Sequence, residues 1–187
     1  MFVLPVLQAV DQIMAPVYNQ FDVQCRACPH DNVCCNTLVA LTYLEACDIV
    51  EYLEETDQWK ALRAKIKKQR DDYARTGNFL ADIGKDWDKK VAWKWFLRQQ
   101  KCAFYDTEKH RCRIYPVRPL SCRELFAHLG TRCDLGNSQT TTLAHDHGMA
   151  LLRLNWDLHH DKEKLAGELT TFVWQAWQER HREKKHA

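Results

Sequence analysis

The sequence predicts a mostly α-helical single domain carrying two cysteine-rich metal-binding loops. Three observations carry this expectation. Apolar residues recur at spacings of three and four over several stretches, the signature of amphipathic helices. Sustained period-two alternation is missing, and so is any Asn-Gly or Asp-Gly hairpin turn, so strand signals are poor. Eight of the nine cysteines fall into two clusters, Cys25, Cys28, Cys34, Cys35 and Cys102, Cys112, Cys122, Cys133.

Taken in order, the first helix is expected between Leu4 and Asn19, on the spacing of Leu7, Val10, Ile13, Met14 and Val17. Pro5 suits its first turn and Pro16 blurs its end. The first cysteine cluster contains Pro29, Asp31 and two asparagines and reads as a loop. Thr42-Tyr43-Leu44-Glu45 is a capping box, which opens a helix to about Glu55 with Tyr43, Ala46, Cys47, Val50 and Leu53 on one stripe. A helix over Asp57 to Arg75 follows, with Lys60, Arg63, Lys65, Lys67, Lys68 and Arg70 as a basic face. Gly77 and Gly84 punctuate the chain before a helix-like stretch with Val91, Trp93, Trp95, Phe96 and Leu97. Pro116 and Pro119 hold off further helix until Ser121-Cys122-Arg123-Glu124, a second capping box, starts a short one to about Leu129. Gly130 to Thr142 reads as loop. The last helix is expected over Lys162 to Glu183, with Leu165, Leu169, Phe172, Val173 and Trp177 inward.

At 187 residues the chain can bury a real core without covalent staples. We expect one domain over 1–187, with a motif core at about 21–126 and a C-terminal helical extension at 143–187. A net charge of +2 gives no global reason to expect nucleic acid or an anionic membrane as partner. The mildly apolar start lacks a basic n-region, and Asp11 interrupts it, so no export signal is read there. No stretch approaches the length of a membrane span. A cytoplasmic location follows as an expectation, and in that reducing compartment stable disulfides are rare. The odd cysteine total points the same way.

Clustered thiols in such a compartment are best read as metal ligands. Thiolates are soft donors that select zinc, copper(I) or iron–sulfur clusters. Cys25-x2-Cys28 has the spacing at which one backbone turn offers two sulfurs to one metal. The adjacent pair Cys34-Cys35 fits a bridging arrangement, a multinuclear cluster, or one ligand beside a non-ligand. Cys122, in the first turn of its expected helix, lies where the helix dipole favours thiolate. Arg113, Arg118 and Arg123 add positive charge against a multi-thiolate site. Eight thiolates match two four-thiolate zinc sites, or one [4Fe–4S] cluster with four further cysteines.

The residues Cys25-x2-Cys28, Cys34-Cys35, Leu41-Thr42-x2-Glu45-Ala46-x2-Ile49, Cys102-x-Phe104 and Cys112-x-Ile114-Tyr115-x2-Arg118-Pro119-x2-Cys122-Arg123 resemble the YkgJ-type cysteine-cluster family. That family is described as a zinc- or iron-chelating domain, and the flagellin lysine N-methylases resemble it in the cysteine motif. The resemblance covers roughly residues 21 to 126. It implies Cys25, Cys28, Cys34, Cys35, Cys102, Cys112 and Cys122 as chelators; Cys133 joins them on spacing alone. The family's first cluster is tighter, since here Pro29 to Val33 intervene before the pair. Either Cys28 or His30 can therefore occupy the corresponding position.

Other features take plainer readings. Cys47 belongs to the inward stripe of its helix and reads as core packing. His145, His147, His159 and His160 read as surface or capping residues, and the basic helix as a solvated face. Arg118 and Arg123 are assigned to structural pairing, and Tyr115, Trp93, Trp95 and Phe96 to shielding the core or the metal site. No Gly-rich phosphate loop, dinucleotide fingerprint or nucleophile elbow is present, so catalytic residues stay unknown. The expected function is a metal-binding protein holding zinc or an iron–sulfur cluster. The alternative is an Fe–S-dependent oxidoreductase or protein-lysine methylase-like enzyme. A metal ion or cluster is the expected partner; a protein partner is compatible with the sequence, a membrane is not expected, and nucleic acid is disfavoured.

Overall fold

A computed structural model describes residues 8, 12, 33–36, 39–76, 98, 100–124 and 167–186. Helices dominate these residues, as expected. The helix anticipated near Leu4, the Trp-rich stretch at 91–97 and the loop at 130–142 lie outside them.

Helix α1, Tyr43–Glu55, starts at the anticipated capping box: the Thr42 hydroxyl accepts from the Glu45 N–H, and the Glu45 carboxylate accepts from the Thr42 N–H. Its C-terminus closes with two backbone bonds, Asp57 N–H to Glu54 O and Gln58 N–H to Leu53 O. Asp57 takes a left-handed φ of 52°. Together these make a Schellman turn with aspartate where glycine is usual. The turn reverses the chain into α2, Trp59–Thr76. On α2 the buried residues Trp59, Leu62, Ile66, Gln69 and Tyr73 alternate threes and fours, while Lys60, Arg63, Lys65, Lys67 and Lys68 face solvent. The basic face read from the sequence is thus the solvent face of the helix.

The last helix, α4, spans Leu169–His186. It begins later than expected, because Gly167–Glu168 form strand β4 and pair antiparallel with β1, Ala40–Leu41. The Leu169 N–H extends this contact to the Val39 carbonyl. Glycine at 167 weakens helix there, and the Phe172 ring lies so close that any β-carbon at 167 would collide with it. Glu168 then acts as the cap that a sequence window centred on the apolar stripe passes over. Its carboxylate accepts from the backbone N–H and hydroxyl of both Thr170 and Thr171. Burial nonetheless holds this carboxyl above the ordinary carboxylate range.

The core lies where α1 and α2 meet α4. Ile49, Leu53, Leu62, Ile66, Phe104, Ile114 and Leu169 are almost wholly buried, each contributing roughly 1.5–3 kcal/mol of apolar burial. Trp59 stacks on Trp177 at 4.9 Å, with Trp174 beside both. Arg180 and His181 of α4 reach Glu54 of α1 at 3.0 and 2.8 Å, and the Tyr43 hydroxyl bonds Glu179.

Against this core sits a short hairpin, β2 (Tyr105–Asp106) and β3 (Arg111–Cys112). Strand signals were poor in the sequence because each strand here is two residues long, too short to display alternation. Asp106 Oδ1 accepts the Glu108 and Lys109 N–H groups, and His110 turns the chain at φ 47°. A 3-10 turn, Tyr115–Val117, and the short helix α3, Leu120–Glu124, follow.

Candidate metal centre

The two cysteine segments meet through the backbone. Cys34 and Cys35 occupy a 3-10 turn, Val33–Asn36, and the Cys35 carbonyl accepts the Cys102 N–H at 2.7 Å. The next residue is tied to another element: the Ala103 N–H donates to Gln69 Oε1 of α2 at 2.5 Å. Buried Gln69 thus holds the Cys102 segment ahead of the hairpin against the helical core.

Cys112 is fixed by the hairpin register, paired with Tyr105. The Tyr105 N–H returns to the Cys102 carbonyl at 2.9 Å, which sets these two cysteines on adjoining backbone. Cys122 is the third residue of α3, so its place in a first helical turn is as expected, though not by the capping box expected. The Ser121 hydroxyl donates to the Ala40 carbonyl on β1 at 2.6 Å. The Leu120 N–H that opens α3 goes instead to Glu45 Oε1 of α1 at 2.8 Å. A sequence window sees the Ser121–Glu124 spacing but cannot see a carboxylate arriving from another helix.

Glu45 is the functional residue that sequence reasoning underused. Only 2 % exposed, it accepts the Thr42 N–H and hydroxyl on one oxygen and the Leu120 N–H on the other. One carboxylate therefore caps the helix after the first cysteine segment and the helix carrying Cys122. Its capping role was legible from Thr42-x2-Glu45; its second partner, far along the chain, was not.

Cys35, Cys102, Cys112 and Cys122 are each partly buried, and the last three pack against the main core. Among the described residues no three His, Cys, Asp or Glu side chains converge as a metal site. Cys25, Cys28, His30 and Cys133 lie outside the described residues, as do His145, His147, His159 and His160, and Cys34 is placed by its backbone alone. Cys47 stays on α1, packed against the core beside the Tyr43 hydroxyl, in keeping with a packing role.

The surrounding charge suits a thiolate-rich centre. Residues 101–124 hold six lysines and arginines against three acids, and thiolates at one metal accumulate negative charge that nearby cations offset. Arg118 is buried and lies 4.1 Å above the Tyr115 ring, an arrangement suited to guanidinium. Arg113 pairs with Asp106 at 3.1 Å. The Lys109 N–H foremost, then the Arg113 charge and the Glu108 N–H, hold Asp106 below the ordinary carboxylate range. In donor chemistry the cysteines fit zinc or iron, both of which thiolates select.

Residues 24–146 match the CxxCxxCC family, described as a "putative zinc- or iron-chelating domain". The matched segment contains all eight clustered cysteines and also Cys47. This chain departs from the family's spacing in having five residues between Cys28 and the Cys34-Cys35 pair. No curated protein matches the chain. No solved structure matches it. Among the described residues, no helix is long and apolar enough to cross a membrane.

Proposed function

Because this chain belongs to the CxxCxxCC family of zinc- or iron-chelating domains, we propose that it is a metal-binding protein whose ligands are Cys25, Cys28, Cys34, Cys35, Cys102, Cys112, Cys122 and Cys133. The Cys35 carbonyl to Cys102 N–H bond is the observation that most supports this reading. It brings the first cluster to the second, as ligands drawn from both clusters require. In this reading residues 1–187 fold as one domain around the centre, and the metal adds folding free energy directly. When bound, zinc supplies a structural or Lewis-acid centre, and an iron–sulfur cluster supplies a one-electron carrier.

The chain's own residues do the holding. Gln69 positions the Cys102 segment, the hairpin register positions Cys112, and Glu45 with Ser121 positions the Cys122 helix.

Anaerobic purification followed by visible absorption and elemental analysis tests the proposal. Brown protein with stoichiometric iron and sulfide assigns a cluster, and colourless protein with stoichiometric zinc assigns zinc. Metal-free protein that melts as well as protein supplied with either metal would overturn the proposal. Cys34→Ser and Cys122→Ser should each lower metal content, and full occupancy in both would remove these two residues from the ligand set.

A further inference from the structure

A cleft of about 680 Å³ opens between the end of α1, the α1–α2 turn, the β2–β3 hairpin and the 3-10 turn after it, with Cys112 in its wall. Its volume falls within the range of small-molecule sites. Tyr52 and Tyr115 form aromatic walls, and the charged lining comes from Asp106, Glu108, Lys109, Arg111 and Arg113.

These charges are not equivalent. Asp106 accepts two backbone N–H groups and pairs with Arg113, so this acid and this base largely cancel. Lys109 and Arg111 are exposed at the hairpin tip; among the described residues neither forms a salt bridge, and the Lys109 side chain acts on Asp106 only through its charge. Glu108 is the one remaining acid in the lining. The hairpin turn, held by Asp106, therefore presents two cations two positions apart in the chain. Such donors, set in a partly enclosed cleft, favour carboxylate or phosphate more than dispersed surface lysines do.

We infer that this cleft binds a small anionic molecule bearing a carboxylate or phosphate group, held by Lys109 and Arg111 beside Cys112. The inference goes beyond the metal reading and does not depend on which metal is present.

The test is equilibrium dialysis of the full-length, metal-loaded protein at low ionic strength against radiolabelled inorganic phosphate and, separately, radiolabelled succinate. Wild type is compared with Lys109→Gln/Arg111→Gln and with Lys65→Gln/Lys67→Gln, which removes two exposed charges from α2. We expect saturable binding of at least one probe, weakened at least fivefold by the hairpin pair and unchanged by the α2 pair. Phosphate alone binding assigns a phosphate-bearing ligand, and succinate alone a carboxylate. Absence of saturable binding in wild type, or equal weakening in both double variants, overturns the inference. Metal per chain, measured in the same samples, reports separately on the metal reading: either result can fail while the other stands.

Discussion

Replacing Glu45 with alanine should uncouple the helix that carries Cys122 from the rest of the protein. The side chain is almost wholly buried and accepts three hydrogen bonds: Thr42 N–H at 2.7 Å, Thr42 hydroxyl at 2.9 Å and Leu120 N–H at 2.8 Å. Losing its half of a capping box costs about 0.5–2 kcal/mol. Leaving the Leu120 N–H without its acceptor in a buried setting costs about 1–3 kcal/mol more. The sum, roughly 1.5–5 kcal/mol, is a large share of the 5–15 kcal/mol typical of a whole domain. Glu45→Gln keeps the volume and one acceptor oxygen but turns an amide NH2 toward one of the two backbone donors. It should lose about half as much. Urea unfolding of metal-loaded protein measures both variants, and metal per chain after mild chelation reports on the Cys122 helix. If Glu45→Ala unfolds within about 0.5 kcal/mol of wild type and keeps its metal, Glu45 does not join the two helices energetically and the reasoning fails. A drop in stability with metal retention unchanged would preserve the capping argument but remove its link to Cys122.

Cys47→Ser should leave metal per chain at the wild-type value and shift the melting temperature by only a few degrees, since Cys47 packs on the core beside Tyr43; elemental analysis showing lost metal would make it a ligand. Gly167→Ala should destabilise by about 1–3 kcal/mol, because the added carbon meets the buried Phe172 ring; thermal melting that matches wild type would show that the ring yields freely. Glu168 gives a pH dependence of definite sign. Burial raises its pKa in the native state, so its contribution to stability is greatest below the ordinary carboxylate range and is lost as pH rises through the native value. Glu168→Gln cannot ionise, so urea midpoints should move in the variant's favour, relative to wild type, as pH rises from the ordinary carboxylate range through the raised native value. A constant difference over that range would mean that the carboxyl titrates normally.

Where residues act on near neighbours, the sequence was a sufficient guide. Thr42-x2-Glu45 marked the start of α1 to the residue, and Lys60, Arg63, Lys65, Lys67 and Lys68 marked the solvent face of α2. Cys122 in a first helical turn was likewise foreseen. The features that were missed depend on partners distant in sequence. Gly167 and Glu168 carry no strand signal of their own, and become strand because Ala40 and Leu41 supply the other half of the ladder. Ser121 has the spacing of a cap, yet its hydroxyl finds the Ala40 carbonyl. The Cys35–Cys102 bond that joins the two cysteine segments likewise follows from the fold.

The pairing of β1 with β4 also bears on the order in which the protein can assemble. Among the described elements, helix α4 is the principal packing partner of α1 and the last in sequence order. During synthesis both cysteine segments emerge before α4, so the part of α1 that α4 covers waits for that helix. The β2–β3 hairpin and the α1–α2 turn close over short distances and can form early, whereas the Leu41–Gly167 ladder must bring together remote parts of the chain. Premature termination before residue 167 would therefore release a chain that possesses every clustered cysteine but lacks the helix that covers α1, a species prone to self-association.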